Sequence, residues 1–212
     1  MSGAANPPSN GAADAGSFAF TKANLALAEE IIARYPEDRE ASAVMGLLDL
    51  AQRQSGGWLP RPAVEYVADY LRLPHIRVYE VVTFYSMFNL KPVGRNQVRV
   101  CTTTPCWLCG SAEVLDACRE TLGIDLDETS EDGEFTLTEV ECLGACVNAP
   151  AIQINDDYFE DLDGARTQAL LDLLKKGERP KPGSQTGRQC SAPVKGLSAL
   201  ISSAKNKGRE GD

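Results

Sequence analysis

The sequence has no apolar run long enough to cross a bilayer and no recognisable export signal. Its longest apolar stretch, VVTFYSMF at residues 81–88, is interrupted and far shorter than the roughly 20 residues that a transmembrane helix needs. The first 18 residues contain neither a basic side chain nor an apolar core, unlike a secretory signal or an Arg-rich presequence. A bacterial-type cytoplasmic protein without a transmembrane segment is therefore expected, although a processed organelle protein would look the same.

Nucleotide-binding motifs are also missing, and the charge is unfavourable for nucleic acid. No G-x-G-x-x-G pattern or phosphate-binding loop occurs in the chain. Of the 30 acidic side chains, 18 lie within residues 96–180 beside only six basic ones, so no nucleic-acid partner is expected. Four acids near the end of this region lack the spacing of a calcium loop and are expected to be solvated turn residues: Asp156, Asp157, Asp161 and Asp163.

Histidine is nearly absent, and the cysteine count is odd. The single histidine, His75, cannot supply the two imidazole ligands of a Rieske-type site, so a surface or capping role is expected. An odd number of cysteines without an export signal argues against a disulfide framework and favours metal binding or redox chemistry. The seven cysteines are Cys101, Cys106, Cys109, Cys118, Cys142, Cys146 and Cys190.

Helical periodicity dominates the first half of the chain. It follows a lead-in over residues 1–17 that is rich in Ala, Gly, Pro and Asn and is expected to be disordered. Apolar residues then recur at helical spacing in four short segments, which predicts a four-helix unit over residues 18–92. The four segments are residues 21–35, 39–57, 59–73 and 74–88.

The second half of the chain predicts a small open sheet with helices, in the order β-α-β-β-β-α. This order is typical of a thioredoxin-like domain whose first unit is trimmed, and the whole chain is predicted to be α+β. The domain is expected over residues 96–178, and a tail over 179–212 is expected to run over a neighbour or to lie loose. The predicted elements are strands at 96–102 and 134–141, a hairpin at 149–162 and helices at 110–122 and 164–177.

Two cysteine pairs follow the first two predicted strands of this domain. Cys101-x4-Cys106 follows the first strand, and Cys142-x3-Cys146 follows the second. Because the carboxyl ends of adjacent strands lie side by side, the two loops can converge on one site. Four thiolates in two loops are what a [2Fe–2S] cluster requires, two for each iron. A four-cysteine zinc site has compatible spacing and stays an alternative, as do four ordinary buried cysteines.

A third cysteine beside the first pair opens another alternative. Cys109 completes the C-x4-C-x2-C spacing of plant-type ferredoxins with Cys101 and Cys106, and that set would need one distant fourth ligand. This ligand set would leave one of Cys142 and Cys146 without a role, and plant-type ferredoxins have a mostly β fold. Because helical periodicity begins directly after Cys109, this thiol is expected in the first helical turn, near the site and not among its ligands.

Several segments together resemble one known family. They are CTTTPCWLCGS, EVECLGACVNAP, INDDYFEDL and KPGSQTGR, with VYEVVTFYSMF in the helical unit. They are similar to the 24-kDa, thioredoxin-like [2Fe–2S] subunit of respiratory complex I, NADH:ubiquinone oxidoreductase, and the similarity runs from Phe18 to the tail near Leu200. The resemblance implies one [2Fe–2S] cluster bound by Cys101, Cys106, Cys142 and Cys146.

The resemblance also implies a function and partners. The chain would be an electron-transfer subunit of an NADH dehydrogenase module, exchanging one electron with FMN. FMN and NADH would be bound by the 51-kDa flavoprotein subunit, and the large iron–sulfur subunit would be a further partner. The chain would thus belong to an enzyme, NADH:quinone oxidoreductase, without having a substrate site of its own.

The expected location is peripheral, on the cytoplasmic face of a bacterial inner membrane or on the matrix side in an organelle.

Two alternatives to the function as an electron-transfer subunit of an NADH dehydrogenase module remain. One is the equivalent diaphorase subunit of an NAD-linked hydrogenase or formate dehydrogenase, because those modules use similar chains. The other is a four-cysteine zinc interaction module with no redox role.

Overall fold

The computed structural model describes residues 17–193 and separates into two units between Arg95 and Asn96. Helices and a mixed sheet confirm the predicted α+β class. The predicted domain bounds, 18–92 and 96–178, stay predictions. The predicted lead-in, apart from residue 17, and the predicted tail beyond residue 193 lie outside the described residues.

Helices of the first unit begin where the sequence provides suitable first-turn residues. Thr21 caps the first helix, since its Oγ1 accepts a hydrogen bond of 3.2 Å from the backbone N–H of Asn24. Pro60 and Pro74 directly precede the third and fourth helices, where a missing N–H costs nothing. The four helices are α1 (Lys22–Ile32), α2 (Val44–Gln54, after a 3₁₀ turn at Glu40–Ala43), α3 (Arg61–Tyr70) and α4 (His75–Phe84).

The helices of the first unit surround one apolar core. One face of α2 supplies its centre, where Leu47, Leu48 and Ala51 are completely buried. From α1 only Ala28 is completely buried, and Leu25, Ile31 and Ile32 pack against this core while partly exposed. Burial of the α2 face, and not helix propensity alone, therefore holds these short helices together.

In the described part of the second unit, six strands form one sheet. They are β1 (Asn96–Cys101), β2 (Glu128–Thr129), β3 (Phe135–Val140), β4 (Ile152–Ile154), β5 (Asp157–Glu160) and β6 (Gly183–Ser184). Their order across the sheet is β2-β3-β1-β4-β5-β6. β1 and β3 run parallel, and their register pairs Cys101 with Val140. The carboxyl ends of these two strands therefore lie side by side, as the cysteine pattern predicts.

Three helices accompany this sheet: α5 (Thr104–Leu108), α6 (Ser111–Leu122) and α7 (Gly164–Lys175). α6 packs against α7 and also contacts β1 and β3. The core between them is centred on Val98, Leu137, Ile152, Cys118 and Leu171, each completely buried. Within residues 17–193, no helix has the length and apolar character needed to cross a membrane.

The sequence does not predict three short elements of the second unit: α5, β2 and β6. β2 adds antiparallel to β3 through Thr129 and Thr136, whose hydroxyl oxygens lie 2.8 Å apart. β6 pairs in parallel with β5, with Gly183 opposite Phe159. The first residues of the predicted tail therefore join the edge of this unit's own sheet.

Candidate metal centre

The four predicted ligand cysteines lie in two neighbouring loops at one end of the sheet. Cys101 is the last residue of β1, and Cys106 lies in α5; both are buried. Cys142 follows β3 after one residue, and Cys146 begins a 3₁₀ turn at Cys146–Asn148; both are exposed. The parallel pairing of β1 with β3 is what brings the two loops together.

The two cysteines of each pair interact with each other, and Thr103 lies between the two pairs. The sulfurs of Cys142 and Cys146 lie 3.3 Å apart, and the thiols of Cys101 and Cys106 are close enough for each to shift the pKa of the other. Thr103 lies between the loops, because its Oγ1 is 3.3 Å from the Cys101 sulfur and its side chain also lowers the pKa of the Cys142 thiol. The structure thus brings all four predicted cysteines together.

Hydrogen bonds favour ionisation of one thiol in each pair. Burial opposes ionisation of Cys101, but hydrogen bonds from Thr103, from the backbone N–H of Leu143 and from Cys106 together lower its pKa. The backbone N–H of Gly144, 3.3 Å from the sulfur, lowers the pKa of Cys142, and the Cys146 thiol adds to this effect. Gly144 has a φ of 78°, a left-handed conformation that glycine adopts without strain.

The partner thiols have the opposite shift. Burial raises the pKa of Cys106, and the hydrogen bond with Cys101 adds to this increase. The hydrogen bond with Cys142 raises the pKa of Cys146, and burial contributes next. In each pair the pKa of one thiol is therefore lowered and that of its neighbour is raised, because their mutual interaction favours the ionised form of one at the expense of the other.

The donor set fits a [2Fe–2S] cluster. Such a cluster takes two thiolates for each iron, and here the thiols are arranged as two pairs. Hydrogen bonds from hydroxyl and backbone N–H groups to the sulfurs are the contacts that tune iron–sulfur centres. Among residues 17–193, no three or more His, Cys, Asp or Glu side chains are grouped as one metal ion would require.

Cys109 occupies a different position from the one expected. Its predicted place in the first turn of α6 is wrong, because α5 is a separate helix and Cys109 caps its carboxyl end. Its backbone N–H donates to the carbonyl of Pro105 at 3.1 Å, and Gly110, with a φ of 97°, separates it from α6. Its thiol is exposed, and within the described residues its sulfur makes no hydrogen bond to the other thiols.

The sequence does not predict a role near the site for Asn148 or Arg188. The expected solvent exposure of Asp161 is wrong. Asp161 was expected to be a solvated turn acid, but it is buried and forms an ion pair of 2.7 Å with Arg188. The Arg188 guanidinium also donates to the backbone carbonyl of Val147 and to the side chain of Asn148. The only sequence signal was the presence of Arg188 in the segment KPGSQTGR, which gave no structural role.

Reactivity of the remaining thiols provides a first prediction. Burial raises the pKa of the Cys118 thiol to about 12, whereas Cys109 and Cys190 are exposed. Because the thiolate is the reactive form, we expect iodoacetamide at pH 8 to label Cys109 and Cys190 in the folded protein and to leave Cys118 unlabelled. Peptide mass spectrometry measures this, with guanidinium-unfolded protein as the control in which Cys118 reacts. Labelling of Cys118 before unfolding would contradict its burial.

Comparison with known proteins places the chain in a family. Residues 28–175 match the family of thioredoxin-like [2Fe–2S] ferredoxins. The E subunit of NADH-quinone oxidoreductase from Rickettsia bellii (strain RML369-C) is 60% identical over 158 residues, which are 74% of this chain and 95% of that relative. The mitochondrial flavoprotein 2 of NADH dehydrogenase [ubiquinone] from Dictyostelium discoideum is 49% identical over 184 residues, or 87% of this chain and 74% of the relative.

A solved structure agrees with the fold. A chain of the air-oxidized NAD⁺-reducing [NiFe]-hydrogenase superposes with a TM-score of 0.54 at 23% identity, covering 62% of this chain and 23% of that one. The sheet with two thiol pairs at one end defines the class as an iron–sulfur ferredoxin of thioredoxin-like fold. The chain belongs to the thioredoxin-like [2Fe–2S] ferredoxin family and, within it, groups with the E subunits of NADH-quinone oxidoreductase.

Proposed function

We propose that this chain is the electron-transfer subunit of an NADH dehydrogenase module and carries one [2Fe–2S] cluster. The observation that carries the proposal is the convergence of four thiols at the carboxyl ends of β1 and β3. This site lies in a chain that is 60% identical to an NADH-quinone oxidoreductase subunit. The chain acts as part of an oxidoreductase and has no substrate site of its own.

The cluster ligands in this proposal are Cys101, Cys106, Cys142 and Cys146. Their pairing supports this choice, as do the hydrogen bonds from Thr103 and Gly144 to the sulfurs. When bound, the cluster supplies a one-electron carrier. The protein holds the sulfurs, directs donors toward them and buries one thiol pair away from water, and each of these contributions adjusts the potential of such a cluster.

The partner in this proposal is the 51-kDa flavoprotein subunit, which binds FMN and NADH, with the large iron–sulfur subunit as a further neighbour. Exposed apolar side chains beside the thiols support a docked partner there. Trp107 and Leu108 next to Cys106 are 65% and 71% exposed, and Val147 next to Cys146 is 68% exposed. The chain would then be peripheral, on the cytoplasmic face of a bacterial inner membrane or on the matrix side in an organelle.

A diaphorase subunit of an NAD-linked hydrogenase is the second candidate. The fold likeness to the NAD⁺-reducing hydrogenase favours it, but at 23% identity this likeness concerns the fold alone. The relatives at about 60% identity carry the name of NADH-quinone oxidoreductase. Purification of the native chain decides between the two, since the assembly that it accompanies has either quinone reductase or hydrogenase activity.

Reduction by NADH tests the proposal. We expect the purified chain to give an EPR signal of a reduced [2Fe–2S] cluster with dithionite but not with NADH, because it has no nucleotide motif. Addition of the flavoprotein subunit should make NADH an effective reductant. The measurement is anaerobic EPR, and flavoprotein prepared without FMN is the matched control. A chain that is silent with dithionite, or one that NADH reduces unaided, would contradict the proposal.

A further inference from the structure

Arg188 reaches from the segment after β6 to the loop that carries Cys146. Its Nη1 donates to the backbone carbonyl of Val147 at 3.0 Å and to Asn148 Oδ1 at 3.1 Å. Its Nη2 lies 2.7 Å from Asp161 Oδ1, and only 12% of the side chain is exposed. One buried guanidinium therefore holds the two residues that directly follow Cys146.

Asn148 receives contacts from several parts of the second unit. Its Nδ2 donates to Glu160 Oε2 at 2.5 Å and to the backbone carbonyl of Cys190 at 2.9 Å. Its own carbonyl accepts from the backbone N–H of Asp161 at 2.7 Å, and its side chain is buried. Contacts with Glu160 and Asp161, at the end of β5, and with Cys190 in the tail therefore hold the Cys146–Asn148 turn in place. Cys146 itself is exposed.

The position of Arg188 is itself determined by neighbouring residues. Ser184 on β6 donates its hydroxyl to Asp161 Oδ2 at 2.6 Å and accepts the backbone N–H of Arg188 at 3.1 Å. The pairing of β6 with β5 places Ser184 opposite Glu160, one residue before Asp161. The tail segment therefore presents Arg188 to the loop through a defined set of contacts.

Stability alone does not account for this arrangement. A buried ion pair contributes little net stability, because removing both charges from water offsets their attraction. In addition, Arg188 Nε is buried without a hydrogen-bond partner in the part of the chain that the structure describes. What the guanidinium does provide is two directed hydrogen bonds at the backbone and side chain of the cysteine loop.

We propose that Arg188 is a positioning residue for the cluster, which holds the Cys146 loop in its binding conformation through Val147 and Asn148. The proposal rests on the proposed function, since it assigns Arg188 a role toward the [2Fe–2S] cluster of this chain. Asp161 positions Arg188 in turn and neutralises its charge. Loss of either Arg188 or Asp161 releases the Cys146 loop. Loss of Arg188 leaves the negative charge of Asp161 unpaired, whereas loss of Asp161 leaves the positive charge of Arg188 unpaired.

Two variants of the full-length chain test this role. In Arg188→Gln, we expect cluster loss to an iron chelator to become about 10–100-fold faster, as is typical when a group that orients a metal ligand is removed. The unpaired Asp161 should also lower the midpoint potential. In Asp161→Asn, the chelator should again act faster, but the unpaired Arg188 should raise the potential. Asparagine tolerates the φ of 55° at this position.

Arg166→Gln is the matched control, because it removes an arginine from an exposed ion pair with Asp163 in the same unit. It should leave the rate of cluster loss and the potential unchanged. The potential is obtained from an EPR redox titration. A purely structural role would lower the melting temperature but would leave the rate of cluster loss unchanged at temperatures well below unfolding, whereas the positioning role predicts faster loss from the folded protein in both Arg188→Gln and Asp161→Asn.

The proposal is overturned if Arg188→Gln keeps the rate of cluster loss and the potential of the unsubstituted chain. It is also overturned if Arg166→Gln has the same effect. If Arg188→Gln does not fold, Arg188→Lys replaces it in the test, because lysine keeps the positive charge but cannot bind both Val147 and Asn148 as the guanidinium does. A rate of cluster loss in Arg188→Lys equal to that of the unsubstituted chain would contradict the proposal. Absence of an EPR signal in the unsubstituted chain would instead contradict the proposed function.

Discussion

Replacement of Cys142 with alanine is expected to abolish the [2Fe–2S] EPR signal, whereas the same replacement at Cys109 should leave it intact. Both thiols are exposed and follow the same end of the sheet, so burial does not distinguish them. The difference lies in their contacts. Cys142 lies 3.3 Å from the Cys146 sulfur and accepts the N–H of Gly144, and both contacts suit an iron ligand.

Alanine is preferable to serine in this experiment, because a serine oxygen can itself coordinate iron and preserve a modified cluster. Iron content should fall from about two per chain to near zero in Cys142→Ala, since the cluster needs all four ligands. The measurements are iron analysis and anaerobic EPR with dithionite, and Cys109→Ala is the matched control. Loss of the signal in Cys109→Ala with retention in Cys146→Ala would establish the plant-type ligand set instead.

The strand pattern was sufficient to predict where the cysteines meet. Alternating apolar residues define β1 and β3, and a cysteine pair follows each of them. Two neighbouring strands that are joined through a helix run parallel, so their carboxyl ends lie side by side and the convergence of the two loops could be predicted without knowing their conformation. The structure adds the parallel register, which places Cys101 opposite Val140, two residues before Cys142.

The short elements of the second unit could not be predicted in the same way. α5 has five residues and β6 has two, and neither is long enough to show a hydrophobic period. The incorrect placement of Cys109 follows from this, because without α5 the thiol directly before the helix predicted at 110–122 was assigned to the first turn of that helix. The ends of the helices in the first unit differ from the predicted ends by one to five residues for a related reason, since the terminal turns carry little of the apolar pattern.

Burial of charged side chains could not be predicted from the sequence either. Asp161 and Arg188 are 27 positions apart in the chain, and each alone has the pattern of a solvated turn or tail residue. Only the pairing of β6 with β5 brings them together. An ion pair between distant residues leaves no periodic signal, so the residues that hold the Cys146 loop had to be found in the structure.

Replacement of Leu137 with alanine is expected to release the cluster by unfolding the sheet that carries it. Leu137 is completely buried in β3, opposite Val98 of β1, and both strands end in a cysteine loop. Truncation of a buried leucine costs about 2–5 kcal/mol, from lost apolar contact and from the cavity left behind. This is a large part of the stability of a domain, which is about 5–15 kcal/mol. The cluster EPR signal should therefore disappear at lower urea concentration.

Leu48→Ala is the matched control, because it removes the same atoms from a completely buried position in α2. The two cores share no residue in the described chain, so Leu48→Ala should destabilise the helical unit and leave the urea dependence of the cluster signal unchanged. Circular dichroism follows loss of the helices, and EPR follows loss of the cluster. If Leu48→Ala shifts the EPR transition as far as Leu137→Ala does, the two units unfold together and the cluster depends on both cores.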